Sequence, residues 1–470
     1  MTTARSTETI CAIATPLGIG AVGVIRLSGP DALPIIETIF SLHQRGSARH
    51  AFADVASHTV HHGWLLNPVT GEPVDEVLVT VMRAPRSYTR EDTIEISGHG
   101  GPVVLARILE LCLTAGARLA EPGEFTKRAF LNGRLDLTQA EAVMALIQAE
   151  SETAHRIALR QLRGDVADAV RAIRASILEL LAHCEASLDF VEQGVAEPAA
   201  DLLITQLDEI GRKLVRLLES AQAGELLRDG LQTVIIGRPN VGKSSLFNQL
   251  LQKERAIVTP YPGTTRDLLN EMVLIDQVPL QLIDTAGIRT SPNPIEQEGI
   301  KRASRSKEEA DLVLLVLDGS QPMQPDDWRL VDTIDTNKTL IVFNKIDLCN
   351  PIDLMAVANR YPAVPIIPIS AVTGAGCDQL KERISHWAAE RIGGMTERPI
   401  ISSSRQHHAL NAARESVVKA REAATDGLPF ECLACDLNDA LRQLGGLLGA
   451  EGDFTEELLD NIFSQFCIGK

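Results

Sequence analysis

Between Thr9 and about Pro122, short apolar runs alternate with polar positions and are punctuated by glycine. ATPLGIGAVGVIRLSG, VDEVLVTVM and DTIEISGHGG read as strands, and an apolar run follows from Val103 to Leu113. This text predicts a small α/β or α+β domain. From Thr138 the period lengthens: Leu162, Val166, Val170, Ile173, Ile177, Leu181, Cys184 and Leu188 recur in steps of three and four, which predicts one long helix with a buried face. Leu203, Leu207, Ile210, Leu214 and Leu218 predict a second helix, antiparallel to the first or stacked on it, as in a bundle. At Leu231 short apolar strands return, each closed by a polar motif and separated by helical stretches, until about Ile392. That is the pattern of a doubly wound α/β unit. After Gly393 and Gly394, helices are expected at 405–425, 431–448 and 455–466. Helices on both sides of the α/β unit imply that it is inserted into a discontinuous helical domain. The expected bounds are 1–122, 123–228, 229–392 and 393–470.

At 470 residues the chain exceeds a single-domain module, and 45% hydrophobic with 23% charged residues excludes disorder. Lys+Arg 45 against Asp+Glu 62 leaves a net charge of −17, so a general basic surface for nucleic acid is excluded. The first 126 residues hold no Lys, and their 9 Arg face 13 carboxylates. Any RNA or DNA is therefore expected to bind the isolated protein weakly and to meet a local patch or a partner. The longest apolar runs, such as Leu312 to Leu317, fall far short of the ~20 residues of a membrane span. The first residues lack the marks of a secretory signal, so a cytosolic location is expected. Eight scattered cysteines are expected as free thiols. Cys432 and Cys435 form one C-x-x-C within a helical pattern, without the second pair or the downstream His of a zinc site.

The chemistry is densest in the α/β unit. Strand LQTVII leads into Gly237-Arg-Pro-Asn-Val-Gly242-Lys243-Ser244, which satisfies G-x-x-x-x-G-K-[ST] in strand–loop–helix context. The glycines let main-chain N–H groups wrap a phosphate, Lys243 adds charge at the β/γ oxygens and Ser244 offers a hydroxyl to Mg²⁺. Asn240, Val241 and Ser245 complete the loop. Strand PLQLI ends at Asp284-Thr-Ala-Gly287, where the carboxylate can hold Mg²⁺ through water and the Gly287 amide can sense a γ-phosphate. Strand TLIVF ends at Asn344-Lys345-Ile-Asp347 and PIIPIS ends at Ser370-Ala371. The Asp347 carboxylate can accept from guanine N1 and N2, a donor pair that adenine lacks. Four motifs in order at strand C-terminal ends predict a GTP site. The segment from Thr259 to Asp267 fits a switch loop in which Thr265 reaches Mg²⁺ when the γ-phosphate is present. After DTAG the chain has Ile288, which cannot orient water as a Gln does, leaving Arg289, Glu296 and Glu298 as candidates.

Taken with PGTTRD and the closing Cys467-Ile-Gly-Lys470, these motifs resemble the MnmE (TrmE) family of tRNA-modifying GTPases. The likeness runs end to end through ATPLGIGAVGVIRLSG, SYTREDTIEISGHGG, EPGEFTKRAFLNGRLDLTQAEA and SQFCIGK. It implies a tetrahydrofolate-binding N-terminal domain that forms a homodimer, and a helical domain interrupted by the GTPase domain. It also implies an MnmG-like partner that uses FAD and NADH, in a heterotetramer or larger assembly. The implied reaction puts an aminomethyl or carboxymethylaminomethyl group on C5 of the tRNA wobble uridine, with carbon from a tetrahydrofolate. Arg26, Glu95, Arg134 and Lys470 match the folate contacts, Arg134 standing where the family commonly has Lys. Asn240 matches a K⁺ ligand, with Thr259, Tyr261 and Thr264 completing the cage and Tyr261 contributing only its backbone. Glu296 matches the carboxylate that positions water, and Cys467 a nucleophile or acid. The pairs His61-His62 and His407-His408 lack ligand partners at metal spacing and are read as structural. The rival class is a regulatory or ribosome-assembly GTPase without modification chemistry, which would carry an RNA-binding appendage or a second GTPase domain.

Overall fold

The structure is a computed structural model. It describes residues 8–43, 51–149, 151–189, 200–253, 270–276, 278–283, 310–348, 354–392, 399–450 and 454–470. They divide into two compact units, Met1–Met144 with Ala434–Lys470, and Ala145–Leu433.

The first unit is built on a seven-stranded sheet. Its strands in chain order are β1 Ile10–Ile13, β2 Val22–Ser28, β3 Phe40–Ser41, β4 Thr59–Leu66, β5 Pro73–Met82, β6 Thr93–His99 and β7 Arg118–Leu119. The spatial order is β3-β4-β5-β6-β2-β1-β7, antiparallel except for the β1–β7 pair. Helices α1 Ala32–Ile39 and α2 Pro102–Thr114 pack on one face, so the expected apolar run from Val103 is the second of these helices. Strict alternation in β2 and β6 sends Ile25, Leu27, Ile94 and Ile96 into the core with Ile36, Ile39 and Ile108. The intervening positions, Arg26 and Glu95, fall on the opposite face and stand directly across from each other in the antiparallel register. Helices α3 Glu124–Leu131 and α4 Leu137–Ile147 follow.

The second unit begins with α5 Glu152–Arg163, α6 Asp165–Asp189 and α7 Ala200–Asp229. The stripe from Leu162 to Leu188 is therefore not one helix. Gly164, at φ +105°, closes α5 in the left-handed region, and α6 restarts at Asp165 with acidic residues in its first turn. Periodicity passes through this break because the core-facing stripe keeps its phase. Val166, Val170, Ile173, Ile177 and Leu181 are buried, as are Leu203, Leu207, Ile210 and Leu214 on α7, where Leu217 rather than Leu218 completes the set.

A six-stranded sheet follows: β8 Leu231–Ile236, β9 Asn270–Ile275, β10 Val278–Ile283, β11 Leu312–Asp318, β12 Thr339–Asn344 and β13 Ile366–Pro368. Its order is β13-β12-β11-β8-β10-β9, parallel apart from the edge strand β9. Helices α8 Lys243–Lys253, α9 Pro325–Asp332, α10 Leu354–Arg360 and α11 Cys377–Ile392 accompany it. β8 lies between β10 and β11, so the chain reverses its winding there and opens a crevice at the carboxyl ends of the strands. The remaining helices, α12 Ser404–Thr425, α13 Phe430–Leu448 and α14 Glu456–Phe463, match the expected positions, the last ending three residues early. α12 packs along α7. Among the described residues no helix is long and apolar enough to cross a membrane.

Candidate functional site

In the second unit the phosphate loop runs from β8 to α8 through Gly237 (φ +150°), Asn240 (φ +64°) and Gly242 (φ +99°). A side chain at Gly237 would meet the Val316 carbonyl at 2.3 Å, and one at Gly242 would meet Asn344 Nδ2 at 2.1 Å. Only glycine lets the loop lie this close to β11 and β12. Lys243 Nζ donates to the carbonyl oxygens of Gly237 and Arg238 at 2.8 and 2.7 Å, so its ammonium sits under the loop at the head of α8. Ser244 and Ser245 follow in the first turn of that helix.

The Asn344-Lys345-Ile-Asp347 and Ser370-Ala371 motifs are joined to this loop. Asn344, buried at the end of β12, donates through Nδ2 to Val241 O at 2.9 Å and accepts at Oδ1 from the Ala371 amide at 2.9 Å. One side chain thus clamps the phosphate loop to the Ser370-Ala371 loop. Lys345 (φ +66°) donates to Asn240 O at 2.7 Å and pairs with Asp318 at 2.6 Å. Burial raises the Asp318 pKa, but Lys345 and the Ser320 donors outweigh it and hold the carboxyl below its usual range. Asp347 is exposed just beyond this pair, with its carboxylate open to a ligand. Ser370 is buried and accepts from the Thr373 amide at 3.1 Å. Asp318 was missed by sequence reasoning. Its position as the polar end of LVLLVLD, at a carboxyl edge like the other motifs, is the signal that marks it. Thr259, Tyr261, Thr264, Thr265, Asp284, Gly287 and Glu296 lie outside the described residues.

In the first unit a second cluster surrounds Tyr88. Arg26 directs Nε and an NH2 group at Glu95 Oε1, both at 2.8 Å, and its guanidinium lies 5.5 Å from the Tyr88 ring and 5.6 Å from that of Phe125. Arg134 stacks on Tyr88 at 4.8 Å and donates to the Tyr88 carbonyl at 2.7 Å, and Lys470 Nζ lies 5.9 Å from the same ring. Three of the four residues matched to folate contacts, Arg26, Arg134 and Lys470, therefore meet at one aromatic side chain that the sequence did not single out, and the fourth, Glu95, is held by Arg26. Burial pushes the Tyr88 hydroxyl up, against its bond to Thr126 and the charges of Arg26 and Arg134. Burial, then repulsion from Arg26, lowers the Lys470 pKa, with Glu95 opposing.

The tail reaches this cluster because it is sewn to the sheet. Gly469 (φ +97°) lies so close to β1 that a side chain there would meet Ile13 O at 2.4 Å, and its own carbonyl accepts from Arg26 at 3.3 Å. Gly123 donates to Cys467 O at 3.4 Å, while Lys127 pairs with Asp460 on α14 at 2.6 Å. Cys467 is half-buried.

A third feature lies farther along β6. Exposed His99 bonds through Nδ1 to Asp75 Oδ1 at 2.7 Å, and the His99 amide donates to Oδ2 at 2.8 Å. The Asp75 hydrogen bond raises the His99 pKa above the ordinary imidazole value. The folded state therefore holds this proton more tightly than the unfolded chain. The pair's contribution is complete below the ordinary value and is lost as pH rises through the raised one. Titrating the His99 ring by NMR should show the pKa falling back on Asp75→Asn substitution; an unchanged value would remove Asp75 as the cause.

A mostly parallel sheet carrying a glycine-cradled lysine, with Asn344, Lys345 and Asp347 at and just beyond the end of β12, defines a P-loop GTPase. Its context is set by the rest of the chain. A family model for the GTP-binding protein TrmE N-terminus matches residues 9–134, and one for the MnmE helical domain matches residues 137–467. The chain belongs to the MnmE (TrmE) family of tRNA modification GTPases. It is 41% identical to the tRNA modification GTPase MnmE of Staphylococcus aureus over 467 residues, covering 98% of this chain and 99% of the relative. It is 42% identical to that of Staphylococcus epidermidis over the same share of each. Among solved structures, a point variant of Aquifex aeolicus Era bound to GDP·AlF4⁻ is 27% identical, covers 40% of this chain and 66% of that one, and has a TM-score of 0.28.

Proposed function

We propose that this GTPase couples GTP hydrolysis to the placement of an aminomethyl or carboxymethylaminomethyl group on C5 of the tRNA wobble uridine. In this reading residues 1–122 bind a tetrahydrofolate and form a homodimer, and residues 229–392 form the GTPase domain. The helical segments 123–228 and 393–470 flank that domain, and an MnmG-like protein supplies flavin and most of the tRNA-binding surface.

The observation that carries the folate reading is the convergence of Arg26, Arg134 and Lys470 on Tyr88, with Glu95 paired to Arg26. Three cations over an aromatic face suit an anionic, ring-bearing ligand. Both bonds from Arg26 fall on Glu95 Oε1, which leaves Oε2 to accept from a heterocyclic N–H. A tetrahydrofolate bound there supplies the one-carbon unit. Arg26 and Lys470 would hold its charge, Tyr88 its ring, and Cys467 a nucleophile or acid nearby. Titration of a reduced folate into the full chain should give saturable binding, lowered at least tenfold by Arg26→Ala with GTP turnover unchanged. Undiminished binding in the variant would remove Arg26 from the site.

In the nucleotide site Lys243 would neutralise the β/γ oxygens, and Ser244 with Thr265 would hold Mg²⁺. Asn240, with groups from Thr259, Tyr261 and Thr264, would hold K⁺ beside the bridging oxygens, where other systems place an arginine. Asn240 in the left-handed region fits this role, since its own carbonyl is engaged by Lys345 and its side chain is left for a ligand. Glu296 would position water. GTP turnover should fall steeply when Na⁺ replaces K⁺ at equal ionic strength, with GDP affinity nearly constant. Equal rates in the two salts would refute the cation's role.

A further inference from the structure

On the second unit a groove of about 500 Å³ runs between α7 and α12. Its floor is aliphatic and includes buried Leu207 and Val417, while its rim carries Arg212, Arg216, Arg414 and Arg421 against Asp208 and Glu219. Arg421 is tied to Asp208. Arg216 and Arg414 are exposed and make no ion pair among the described residues, and Arg212 uses its Nε only on the Asp208 main-chain carbonyl of its own helix, at 3.2 Å. Three guanidinium groups thus share one concavity with a single unengaged carboxylate. This happens in a chain with 62 Asp+Glu against 45 Lys+Arg, where some exposed arginines pair with an acid of their own helix. Arg171 with Asp168 and Arg329 with Asp326, on the same unit, are instances. A concave wall with an excess of one sign, here four arginines against Asp208 and Glu219, focuses the field and concentrates counter-ions even when the whole molecule carries the opposite charge.

We infer that this groove takes the phosphodiester backbone of RNA. Arg212 and Arg216 are one helical turn apart on α7, roughly 6 Å between side-chain bases, a pitch similar to that of successive phosphates along a strand. Arg414 faces them from α12. The planar fork of each guanidinium matches two phosphate oxygens, which a point-charged lysine does not. The inference rests on the tRNA substrate proposed above and adds a contact of the chain's own to the surface assigned to the partner. Such a contact orients tRNA without gripping it tightly.

The test is the salt dependence of labelled tRNA binding by the full chain, between about 50 and 200 mM salt. The triple variant R212Q/R216Q/R414Q leaves the Arg421–Asp208 pair in place. It should weaken binding at the lowest salt by at least about tenfold and reduce the slope of log K against log salt by about 2 to 3. GTP turnover and Tm should not change. R212K/R216K/R414K, which keeps the charge, should retain most of the slope, and R171Q/R329Q, which removes paired arginines elsewhere, should leave it intact. A wild-type slope in the glutamine variant, or an equal loss in R171Q/R329Q, would overturn the assignment. So would tighter binding of polyglutamate than of tRNA to the wild-type groove. Wobble-uridine analysis in cells lacking the protein separates the two readings. A changed nucleoside with an unchanged slope removes the groove and leaves the modification role standing. An unchanged nucleoside removes that role, and the slope then still decides the groove.

Discussion

Asp347→Asn should cost GTP affinity on the order of 10²- to 10⁴-fold and confer binding of xanthosine triphosphate. The carboxylate stands exposed just past the Lys345–Asp318 pair, and that pair fixes the end of β12 against the phosphate loop. Two charge-assisted bonds to guanine N1 and N2 are worth roughly 1.5–3 kcal/mol each, which sets the size of the loss. An amide in place of the carboxylate presents one donor, which repels the guanine N–H pair and matches the extra carbonyl of xanthine. The fold should survive because Asp347 is exposed, unlike Asn344 in the same motif, whose Nδ2 and Oδ1 both hold main chain. Equilibrium titration with the two fluorescent nucleotides checks this. Retained GTP affinity would take Asp347 out of the base pocket.

Gly469→Val should lower reduced-folate affinity on the order of 10²-fold and abolish tRNA modification while leaving GTP turnover within about twofold. Its φ of +97° disfavours any side chain, and the obstacle 2.4 Å away is the Ile13 main-chain oxygen of β1, which cannot rotate aside. The tail must therefore leave the sheet, taking with it the carbonyl that accepts from Arg26 and the Lys470 ammonium beside Tyr88. Losing one charge-assisted contact and the alignment of another costs roughly 3 kcal/mol, on the order of 10²-fold in folate affinity. Cys467 moves with the tail, so Cys467→Ser in the intact tail is the companion variant: it should abolish modification with folate binding retained. Folate binding unaffected by Gly469→Val would show that the tail does not close the site.

The two sites were legible in the sequence to different depths. The nucleotide site is written in contiguous motifs at strand ends, so Gly242, Lys243, Asn344 and Ser370 were identifiable from local text. The structure adds how they are joined. That Asn344 bonds Val241 across 103 residues, and Lys345 bonds Asn240 across 105, is a matter of strand order, which local periodicity does not carry. The cluster around Tyr88 was less legible. Arg26 and Glu95 read alone as a surface cation and a strand-end acid. Only the antiparallel register of β2 and β6 sets them face to face, and only the tail brings Gly469 across 443 residues to Arg26, with Lys470 following it. Tyr88 escaped because one aromatic in a polar loop has no pattern to stand out from. The break at Gly164 escaped for the opposite reason, since the apolar stripe runs through it in phase.

Whether this GTPase serves wobble-uridine modification is decided by nucleoside mass spectrometry of tRNA from cells lacking the protein. The C5 aminomethyl-type uridines should be lost, and should be restored by the wild-type chain and not by Gly469→Val. Wobble uridines identical with and without the protein would refute the modification role and favour a GTPase that regulates without modifying.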